Sequence, residues 1–266
     1  MSDTLIVHWD FDPILLSIGS FSIHWYGLLF ALAFIAGYHI MQRITKAEGR
    51  TDLDLDTLLY YIMGGTIVGA RLAHCLFYDP TYYLSHPLDI FKIWEGGLAS
   101  HGGAVGLILA LYFYAKRYNV PFLWLTDRIA IPSALGGAMV RLANFLNSEI
   151  VGNPTHSNWG IIFEKVDELP RHPVQLYESF AYVVIFAWLV KVYLRYGKNT
   201  PYGLLTGMFL TSVFSVRFIL EFFKTPQAAY EAGNFISVGQ WLSIPFIIVG
   251  IVLIQRAKRA PAMNIL

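Results

Sequence analysis

The chain has 266 residues, of which 56% are hydrophobic and 14% are charged, and its formal net charge is +1. A soluble domain normally carries about a quarter charged residues, so this composition and the repeated apolar runs of about 20 residues exclude an ordinary soluble protein and indicate a polytopic membrane protein. The near-neutral charge balance gives no reason to expect nucleic acid as a partner, and a single cysteine excludes an internal disulfide.

Residues 1–20 precede the first long apolar run. They include acidic residues but no Lys or Arg, and they lack the small-residue cleavage pattern of a secretory signal peptide. We therefore expect this N-terminal segment to be retained.

Seven apolar runs are long enough to cross a bilayer. They cover residues 21–41, 57–77, 96–115, 123–147, 174–194, 201–222 and 235–255. The fourth run is the least regular because Asp127, Arg128 and Pro132 interrupt it. The pattern predicts an all-α integral membrane protein with seven transmembrane helices. Since no internal repeat or linker is visible, we expect residues 1–266 to form a single membrane domain.

The Lys and Arg residues of the connecting loops are distributed unevenly, and cytoplasmic loops are normally the richer ones. The loops on one side contain eleven: Arg43, Lys46, Arg50, Lys116, Arg117, Lys191, Arg195, Lys198, Arg256, Lys258 and Arg259. The loops on the other side contain four: Lys92, Lys165, Arg171 and Lys224. This imbalance predicts an N-terminus outside the cytoplasm and a C-terminus inside it. Residues 148–173 then form an outer segment with small loop or head elements.

Most polar and ionisable residues within or beside the spans fall at their outer ends under this topology. They are Tyr26, Arg71, His101, Arg141, Glu149, His172, Arg217 and Glu221. Charged groups buried in a membrane usually face a cavity and mark a functional site. We therefore expect one polar pocket in the outer half of the bilayer.

The segment 139–154, MVRLANFLNSEIVGNP, carries a dense group of polar side chains. If residues 137–152 are helical, a turn of about 100° per residue determines which of them share a face. The face of Arg141 then also contains Gly137, Asn144, Ser148, Glu149 and Gly152. Asn147 is expected to point away from it.

This face suits a phosphate group, because an arginine can contact two phosphate oxygens at once. Asn144 can donate or accept a hydrogen bond, and Glu149 can orient Arg141 or balance its charge. A polar network that only holds helices together would use the same residue types. The sequence leaves both interpretations open.

The segment 95–106, EGGLASHGGAVG, surrounds His101 with small residues. Small residues allow close helix packing, and a histidine in such an interface is commonly a structural hydrogen-bonding residue. An imidazole that titrates near neutrality can also take a proton from a thiol or hydroxyl nucleophile. The sequence does not separate these two roles for His101.

Two further segments contribute polar residues near the outer side. In SVRFILEFFKTP, Arg217 and Glu221 lie four residues apart, so they either neutralise each other or, together with Arg141, form a site for a lipid phosphate. The residues of LPRHPVQLYE that can line the rim of this site or cap the fifth span are His172, Gln175 and Glu178.

Four motifs follow one another along the chain: HGG after a glycine-rich lead, RLANFLNSEIVG, RHPVQLYE, and RFILEFFK with a proline two residues later. From about Trp25 to Trp241 the sequence thereby resembles the phosphatidylglycerol:prolipoprotein diacylglyceryl transferases of bacterial inner membranes. The resemblance implies a multi-pass protein of the inner (cytoplasmic) membrane with seven spans. It also implies a periplasmic N-terminus, a cytoplasmic C-terminus and an active site toward the periplasmic leaflet.

The resemblance implies transfer of the diacylglyceryl group of phosphatidylglycerol to the thiol of a prolipoprotein lipobox cysteine, with formation of a thioether and release of glycerol phosphate. The implied catalytic residues are Tyr26, His101, Arg141 and Arg217. The expected substrate-binding residues are Arg141, Asn144, Glu149, Gly152 and Arg217 from the resemblance, with Glu221 and His172 added from their position. The implied partners are phosphatidylglycerol, the prolipoprotein signal peptide with its lipobox cysteine, and membrane lipids. No metal-ligand spacing is present, so we expect neither a metal nor a cofactor.

The sequence departs from the family pattern at two places. Val140 precedes Arg141 where the family usually has glycine, and residues 98–100, LAS, precede His101 where a bulkier aromatic residue is common. Both departures concern packing more than chemistry, so they affect the expected fit of the substrate more than the expected activity.

A transporter or binding protein for an anionic lipid or solute is the alternative. A transporter would need charged residues in both leaflets or broken helices in paired halves, and the sequence has neither pattern. An intramembrane serine protease would need a serine paired with a histidine, commonly in a Gly-x-Ser-Gly setting, which is absent. Ser100 and His101 are adjacent, so on a helix they face different directions.

Overall fold

The computed structural model describes residues 5–19, 21–93, 96–97, 99–225 and 236–259. Parts of several predictions lie outside these residues: the start of the seventh span at residue 235, residues 95 and 98 of the small-residue segment, residues 1–4 and 20 of the N-terminal segment, and residues 260–266 of the single domain. The chain divides into two compact units. The first unit comprises Met1–Ile40 and Asp127–Leu266, and the second comprises Met41–Thr126.

α-Helices account for most of the described chain. They are α1 (Trp25–Ala47), α2 (Leu55–Phe77), α3 (Pro80–Ser85), α4 (Ser100–Arg117), α5 (Phe122–Leu146), α6 (Val174–Tyr196), α7 (Leu204–Leu220) and α8 (Val238–Arg259). Short 3₁₀ helices cover Pro87–Phe91, Gly197–Asn199 and Glu221–Phe223.

Five helical segments of the described chain are long and apolar enough to cross a membrane. They are Trp25–Ala47, Phe122–Leu146, Val174–Asn199, Leu204–Phe223 and Val238–Arg259. The prediction of a mostly helical protein with several candidate membrane spans is confirmed in this form. The predicted spans 57–77 and 96–115 correspond in position to α2 and α4, which are not among the five.

Short β-strands require a correction to the all-α prediction. They are β1 (Leu5–Trp9), β2 (Ile14–Ile18), β3 (Phe21–His24), β4 (Trp159–Phe163) and β5 (Pro170–Arg171). β1 pairs in parallel with β4, β4 pairs with β5, and β2 forms an antiparallel pair with β3. The first predicted span therefore begins at Trp25, because residues 21–24 belong to a strand. These runs are rich in β-branched and aromatic residues but are too short to show a helical period.

In the first unit, close contacts between small residues fix the helices that carry the polar cluster described below. The Ser179 hydroxyl of α6 donates a 2.9 Å hydrogen bond to the Ala138 carbonyl of α5. A Cβ atom at Gly207 of α7 would lie 2.7 Å from the Gly250 carbonyl oxygen of α8. Glycine therefore lets α7 and α8 approach more closely than any larger residue would allow.

Asp127, which interrupts the fourth predicted span, is a buried cap for another helix. Its carboxylate accepts hydrogen bonds from the backbone N–H of Gly203 at 2.7 Å and of Thr206 at 2.8 Å, and from the Thr206 hydroxyl at 2.8 Å. The first N–H groups of a helix have no partner within it, so a carboxylate is favoured there. Asp127 thus ties α5 to the start of α7.

In the second unit, α2 and α4 pack through glycines. The residues in contact are Gly65, Gly69, Gly102 and Gly106, and a Cβ atom at Gly65 would lie 2.7 Å from the Gly106 carbonyl oxygen. The packing interpretation of the glycines in segment 95–106 is therefore confirmed for Gly102 and Gly106. Cys75 on α2 is buried and is not in a disulfide, as expected for a small apolar residue.

Arg71, also in the second unit, serves the backbone. The sequence predicts that Arg71 lies in the polar pocket, but its guanidinium donates to the carbonyls of Asp89 at 2.6 Å, Ile90 at 2.9 Å and Gly96 at 2.6 Å. Only 3% of the residue is exposed. Arg71 therefore holds the segment that leads into α4, which is a structural role.

Candidate active site

Arg141 and Asn144 lie one turn apart near the end of α5. The Arg141 Nη1 atom donates to the Asn144 Oδ1 atom across 3.3 Å. Asn144 is 4% exposed, so its amide needs partners inside the protein. The spacing of three residues puts both side chains on one helical face, as the sequence predicted.

The helical face does not continue to Gly152, and this part of the prediction is wrong. α5 ends at Leu146, and Ser148 and Ile150 have left-handed backbone angles of φ 55° and 53°. Asn and Ser side chains compete with the helical backbone for hydrogen bonds and favour helix ends, which the assumption of a continuous helix ignored. Ser148, Glu149 and Gly152 are therefore placed by a turn.

The turn nevertheless returns Glu149 to Asn144. The Asn144 Nδ2 atom donates to Glu149 Oε2 at 2.9 Å. Asn147 was predicted to point away, yet its Nδ2 atom lies 3.3 Å from Glu149 Oε1. Among the described residues, no direct Arg141–Glu149 salt bridge is present, so Glu149 acts on Arg141 through Asn144.

Tyr26, in the first turn of α1, joins the same group. Its hydroxyl interacts electrostatically with the side chains of Arg141, Asn144 and Glu149. The structure thus brings together Tyr26, Arg141, Asn144 and Glu149, all of which the sequence analysis selected.

Glu178 is the buried centre of a larger ion-pair cluster that sequence reasoning undervalued. It is 0% exposed, its Oε2 atom lies 2.8 Å from Arg141 Nε, and its Oε1 atom accepts a 3.0 Å hydrogen bond from Lys224 Nζ. From the sequence alone, Glu178 is predicted to be a cap or rim residue and Lys224 a loop cation. An acidic residue inside an apolar span is itself a signal of function, and it would have identified Glu178.

Arg217 and Glu221 do not neutralise each other. Glu221 lies 3.3 Å from the Lys224 ammonium instead, and no carboxylate of the described residues lies within 4.0 Å of the Arg217 guanidinium. The charges of Arg217 and Arg141 both act electrostatically on the Tyr182 hydroxyl. Among the described residues, therefore, no carboxylate pairs with the charge of Arg217.

Gly152 is held by backbone contacts that explain why the residue is glycine. Its N–H donates to the His172 carbonyl at 3.2 Å, and a Cβ atom would lie 2.6 Å from Val174 Cγ2. The Arg171 Nη1 atom donates to the Gly152 carbonyl at 2.9 Å. Arg171 also binds Asp167, and this guanidinium holds the pKa of the Asp167 carboxyl below its ordinary value. Arg171 thus ties the end of the segment 148–173 to the turn that follows α5.

His172 lies in an aromatic environment instead of the ion-pair cluster. Its ring centroid is 5.1 Å from that of Trp159 and 5.3 Å from that of Phe223, and its Nδ1 atom is 3.4 Å from the Tyr177 hydroxyl. No contact with Arg141 or Arg217 is present in the described part of the chain. Substrate binding by His172 stays a prediction.

His101 lies in the second unit, at the second position of α4, and is exposed. The neighbouring Gly102 packs against α2. The choice between a proton-accepting and a structural role for His101 stays open on this geometry. Within the described ranges, no group of three or more His, Cys, Asp or Glu residues is arranged to hold a metal ion.

Comparisons with known proteins cover nearly the whole chain. A family profile described as prolipoprotein diacylglyceryl transferase matches residues 13–256. A phosphatidylglycerol–prolipoprotein diacylglyceryl transferase of Tolumonas auensis is 58% identical, over 97% of this chain and 100% of that protein. Proteins of the same name from Chloroherpeton thalassium and Porphyromonas gingivalis are 49% and 44% identical, over 98% and 96% of both chains.

Proposed function

The chain belongs to the prolipoprotein diacylglyceryl transferase family, and we propose on this basis that it transfers the sn-1,2-diacylglyceryl group of phosphatidylglycerol to the thiol of a prolipoprotein lipobox cysteine. A carbon–sulfur bond forms, the carbon–oxygen bond to the phosphate breaks, and the phosphate leaves with its glycerol as glycerol phosphate. The product is a thioether, and the reaction is the first step of lipoprotein maturation.

Arg141 and Arg217 are the proposed phosphate-binding residues. Negative charge develops on the phosphate oxygen as the carbon–oxygen bond breaks, and fixed cations in a poorly hydrated site stabilise such charge. The observation that carries this proposal is the fixed Arg141 guanidinium, whose Nε atom lies 2.8 Å from the buried Glu178 carboxylate and whose Nη1 atom donates to Asn144. Arg217, which has no carboxylate within 4.0 Å among the described residues, then offers a charge that an anionic headgroup can pair.

Tyr26, Asn144 and Glu149 are proposed to orient the headgroup. Asn144 and Glu149 already form one hydrogen-bonded group with Arg141, and Tyr26 interacts electrostatically with this group. A glycerol hydroxyl or phosphate oxygen that enters the group therefore meets both donors and acceptors. Tyr26 is a proposed catalytic residue because its hydroxyl can donate to the reacting ester. The remaining proposed contacts with substrate are Gly152, His172 and Glu221.

His101 is proposed to receive the proton of the substrate thiol. A thiolate, and not a thiol, attacks carbon, and a neutral imidazole is a suitable acceptor near pH 7. The family motif HGG supports this assignment. A structural hydrogen-bonding role for His101 is the alternative, and the pH dependence of transfer by a His101→Gln variant distinguishes the two roles.

We further propose seven membrane spans, with α2 and α4 added to the five candidates. α2 has 23 residues and α4 has 18, which correspond to about 35 and 27 Å of helix, close to the bilayer core of about 30 Å. The basic last turns of α1, α4, α6 and α8 support a cytoplasmic side at those ends. The N-terminus is then periplasmic and the C-terminus cytoplasmic.

This orientation puts the proposed site near the periplasmic leaflet of the bacterial inner membrane. Tyr26 begins α1, Arg141 is near the end of α5, Glu178 is near the start of α6 and Arg217 is near the end of α7. All four ends belong to the periplasmic side in the proposed topology. The proposed partners are phosphatidylglycerol, the signal peptide of a prolipoprotein and the surrounding membrane lipids.

The direct test is incubation of the purified full chain with phosphatidylglycerol and a peptide that contains a lipobox cysteine. We expect a peptide whose mass has increased by one diacylglyceryl group and whose thiol no longer reacts with maleimide. A peptide with Ser in place of Cys is the matched control, and it should remain unmodified because a neutral hydroxyl is a poorer nucleophile than a thiolate.

Two results would contradict the proposal. A folded protein that yields no thioether product with any phosphatidylglycerol would rule out the transferase. Movement of an anionic lipid or solute across proteoliposomes without product would favour the transporter alternative instead.

A further inference from the structure

One buried carboxylate holds two cations from different parts of the first unit. Glu178 of α6 contacts Arg141 of α5 through Oε2 and Lys224 through Oε1, at 2.8 and 3.0 Å. The side chain of Glu178 is fully buried, and those of Arg141 and Lys224 are 16% and 7% exposed. Each carboxylate oxygen is thus assigned to one cation.

Burying these three charged groups costs desolvation free energy, so their presence calls for an explanation. Removing a charged group from water costs several kcal/mol, and hydrophobic residues of similar volume often replace buried ion pairs without loss of stability. Single helix-packing contacts of the kind made by Ser179 would hold α5 against α6 at lower cost. The buried charges therefore indicate that the Arg141 side chain must be held in one fixed position.

The contact reaches Arg141 at its Nε atom, on the inner side of the guanidinium group. The contact is close but is not aligned as a hydrogen bond, since Glu178 Oε2 has no hydrogen-bond partner among the described residues. Asn144 contacts Nη1 on the other side. These two contacts restrict rotation of the guanidinium group, and neither of them is a bidentate pairing that would occupy a full edge of it.

Lys224 is itself fixed by the backbone around it. Residues 151–153 and 223–225 exchange hydrogen bonds: Asn153 N–H donates to the Phe223 carbonyl at 2.7 Å, and Thr225 N–H donates to the Val151 carbonyl at 3.3 Å. Lys224 therefore approaches Glu178 from a segment that is paired with the turn after α5. Glu221 adds a second carboxylate at 3.3 Å from the same ammonium group.

We propose that Glu178 is a positioning residue for Arg141, held in place by Lys224. Glu178 does not touch the substrate; it sets the direction in which Arg141 presents its outer N–H groups to the phosphate. This inference rests on the proposed function, because it assumes that Arg141 binds the phosphate. It adds two residues, Glu178 and Lys224, to those that determine the rate of transfer.

The test is a double-mutant cycle between Arg141→Lys and Glu178→Gln in the full chain, with transfer to a lipobox peptide as the assay. A misplacement of about 1 Å in a catalytic group can cost about 100-fold in rate, so we expect Glu178→Gln to lower kcat by about 10–100-fold. The KM for phosphatidylglycerol should change by less than about threefold. A lysine has no Nε–H edge, so Glu178→Gln should cost less than about threefold in the Arg141→Lys background.

Asp127→Asn is the matched control, because Asp127 is also a fully buried carboxylate of the first unit. It precedes Arg141 by 14 residues, or about 21 Å along α5. Any loss that it causes should be the same in both backgrounds. If Glu178→Gln does not fold in detergent, Glu178→Asp keeps the charge and shortens the side chain, and the same cycle applies.

Equal losses from the Glu178 substitution in both backgrounds would overturn the inference, since Glu178 would then act independently of Arg141. A rate that Arg141→Lys leaves unchanged while Glu178→Gln lowers it would also overturn it. In both cases transfer by the unaltered protein would still support the proposed function. Failure of the unaltered protein to form any thioether is a different result, which counts against the proposed function itself.

Discussion

Asn144 and Glu149 are joined by a 2.9 Å hydrogen bond, although α5, which carries Asn144, ends at Leu146. The bond is made across a turn with left-handed backbone at Ser148 and Ile150. Asn144 accepts from Arg141 on its oxygen and donates to Glu149 from its nitrogen. One amide therefore connects a cation and an anion that do not touch each other.

Asn144→Asp should abolish most of the transferase activity. An aspartate cannot donate a hydrogen bond to Glu149, and its negative charge lies beside that of Glu149. The introduced carboxylate would also attract the Arg141 guanidinium directly. We expect the rate of transfer to fall by at least about 100-fold, measured as thioether product per minute at saturating phosphatidylglycerol.

Asn147→Asp is the matched control for this change. Asn147 makes only a long 3.3 Å contact with Glu149 and none with Arg141 among the described residues. We expect its loss of activity to be at least about tenfold smaller. Equal losses for the two variants would show that the Arg141–Asn144 contact has no special importance.

Gly152→Ala should destabilise the outer segment. The added Cβ would lie 2.6 Å from Val174 Cγ2 and would also contact the His172 backbone, so the backbone must shift at a cost of about 1–3 kcal/mol. The measurement is the unfolding temperature in detergent. Gly64→Ala is the control, because a Cβ atom at Gly64 of α2 would have no neighbour within 4 Å. If both variants unfold at the same temperature, the backbone contacts around Gly152 do not limit its size.

The sequence predicted the helices well because span length and hydropathy are local properties. It also selected Arg141 and Asn144, whose relation depends only on a spacing of three residues. It was wrong where the outcome depends on a turn or on a distant partner. The path from Leu146 to Gly152 depends on left-handed residues that periodicity does not register.

The partners of charged residues show the same limit. Arg217 and Glu221 have the spacing of an ion pair, but Lys224 binds Glu221 instead. The burial of Glu178 depends on which face of α6 meets α5, and a single sequence does not contain that information. Its position inside an apolar run was the only available signal.

Arg71→Gln should loosen the segment that precedes α4. The guanidinium donates to three carbonyls between Asp89 and Gly96, and each unsatisfied buried carbonyl costs about 1–3 kcal/mol. We expect faster tryptic cleavage after Lys92, measured by mass spectrometry of the detergent-solubilised protein. Arg117→Gln, at the end of α4, is the control and should leave cleavage after Lys92 unchanged. Equal cleavage in both variants would show that Arg71 does not hold this segment.

Acid should weaken the Asp167–Arg171 contact. The Arg171 guanidinium lowers the pKa of the Asp167 carboxyl from its ordinary value of 3.8. A carboxyl whose pKa is lower in the folded state contributes its full stability above pH 3.8 and loses it as the pH falls further. The unfolding temperature of the unaltered protein should therefore decrease more steeply below pH 3.8 than that of Asp167→Asn. Parallel curves for the two proteins would contradict this prediction.

Arg217→Gln should reduce activity with little loss of stability. No carboxylate of the described residues lies within 4.0 Å of Arg217, so its removal leaves none of these carboxylates without a partner. Lys224→Gln differs, because it removes a cation from both Glu178 and Glu221. Breaking a buried pair by removing one partner costs about 3–5 kcal/mol, so this variant should unfold at a clearly lower temperature.

The activity and the unfolding temperature of Arg217→Gln together separate an effect on ligand binding from an effect on folding. If Arg217 stabilises the leaving phosphate, Arg217→Gln should lower kcat by about 100–1000-fold while the protein unfolds within about 2 °C of the unaltered one. Arg195→Gln, at the cytoplasmic end of α6 in the proposed topology, is the control and should change neither quantity. An Arg217→Gln variant with full activity would remove the second arginine from the proposed site, because an arginine that binds the leaving phosphate cannot be replaced without loss of rate.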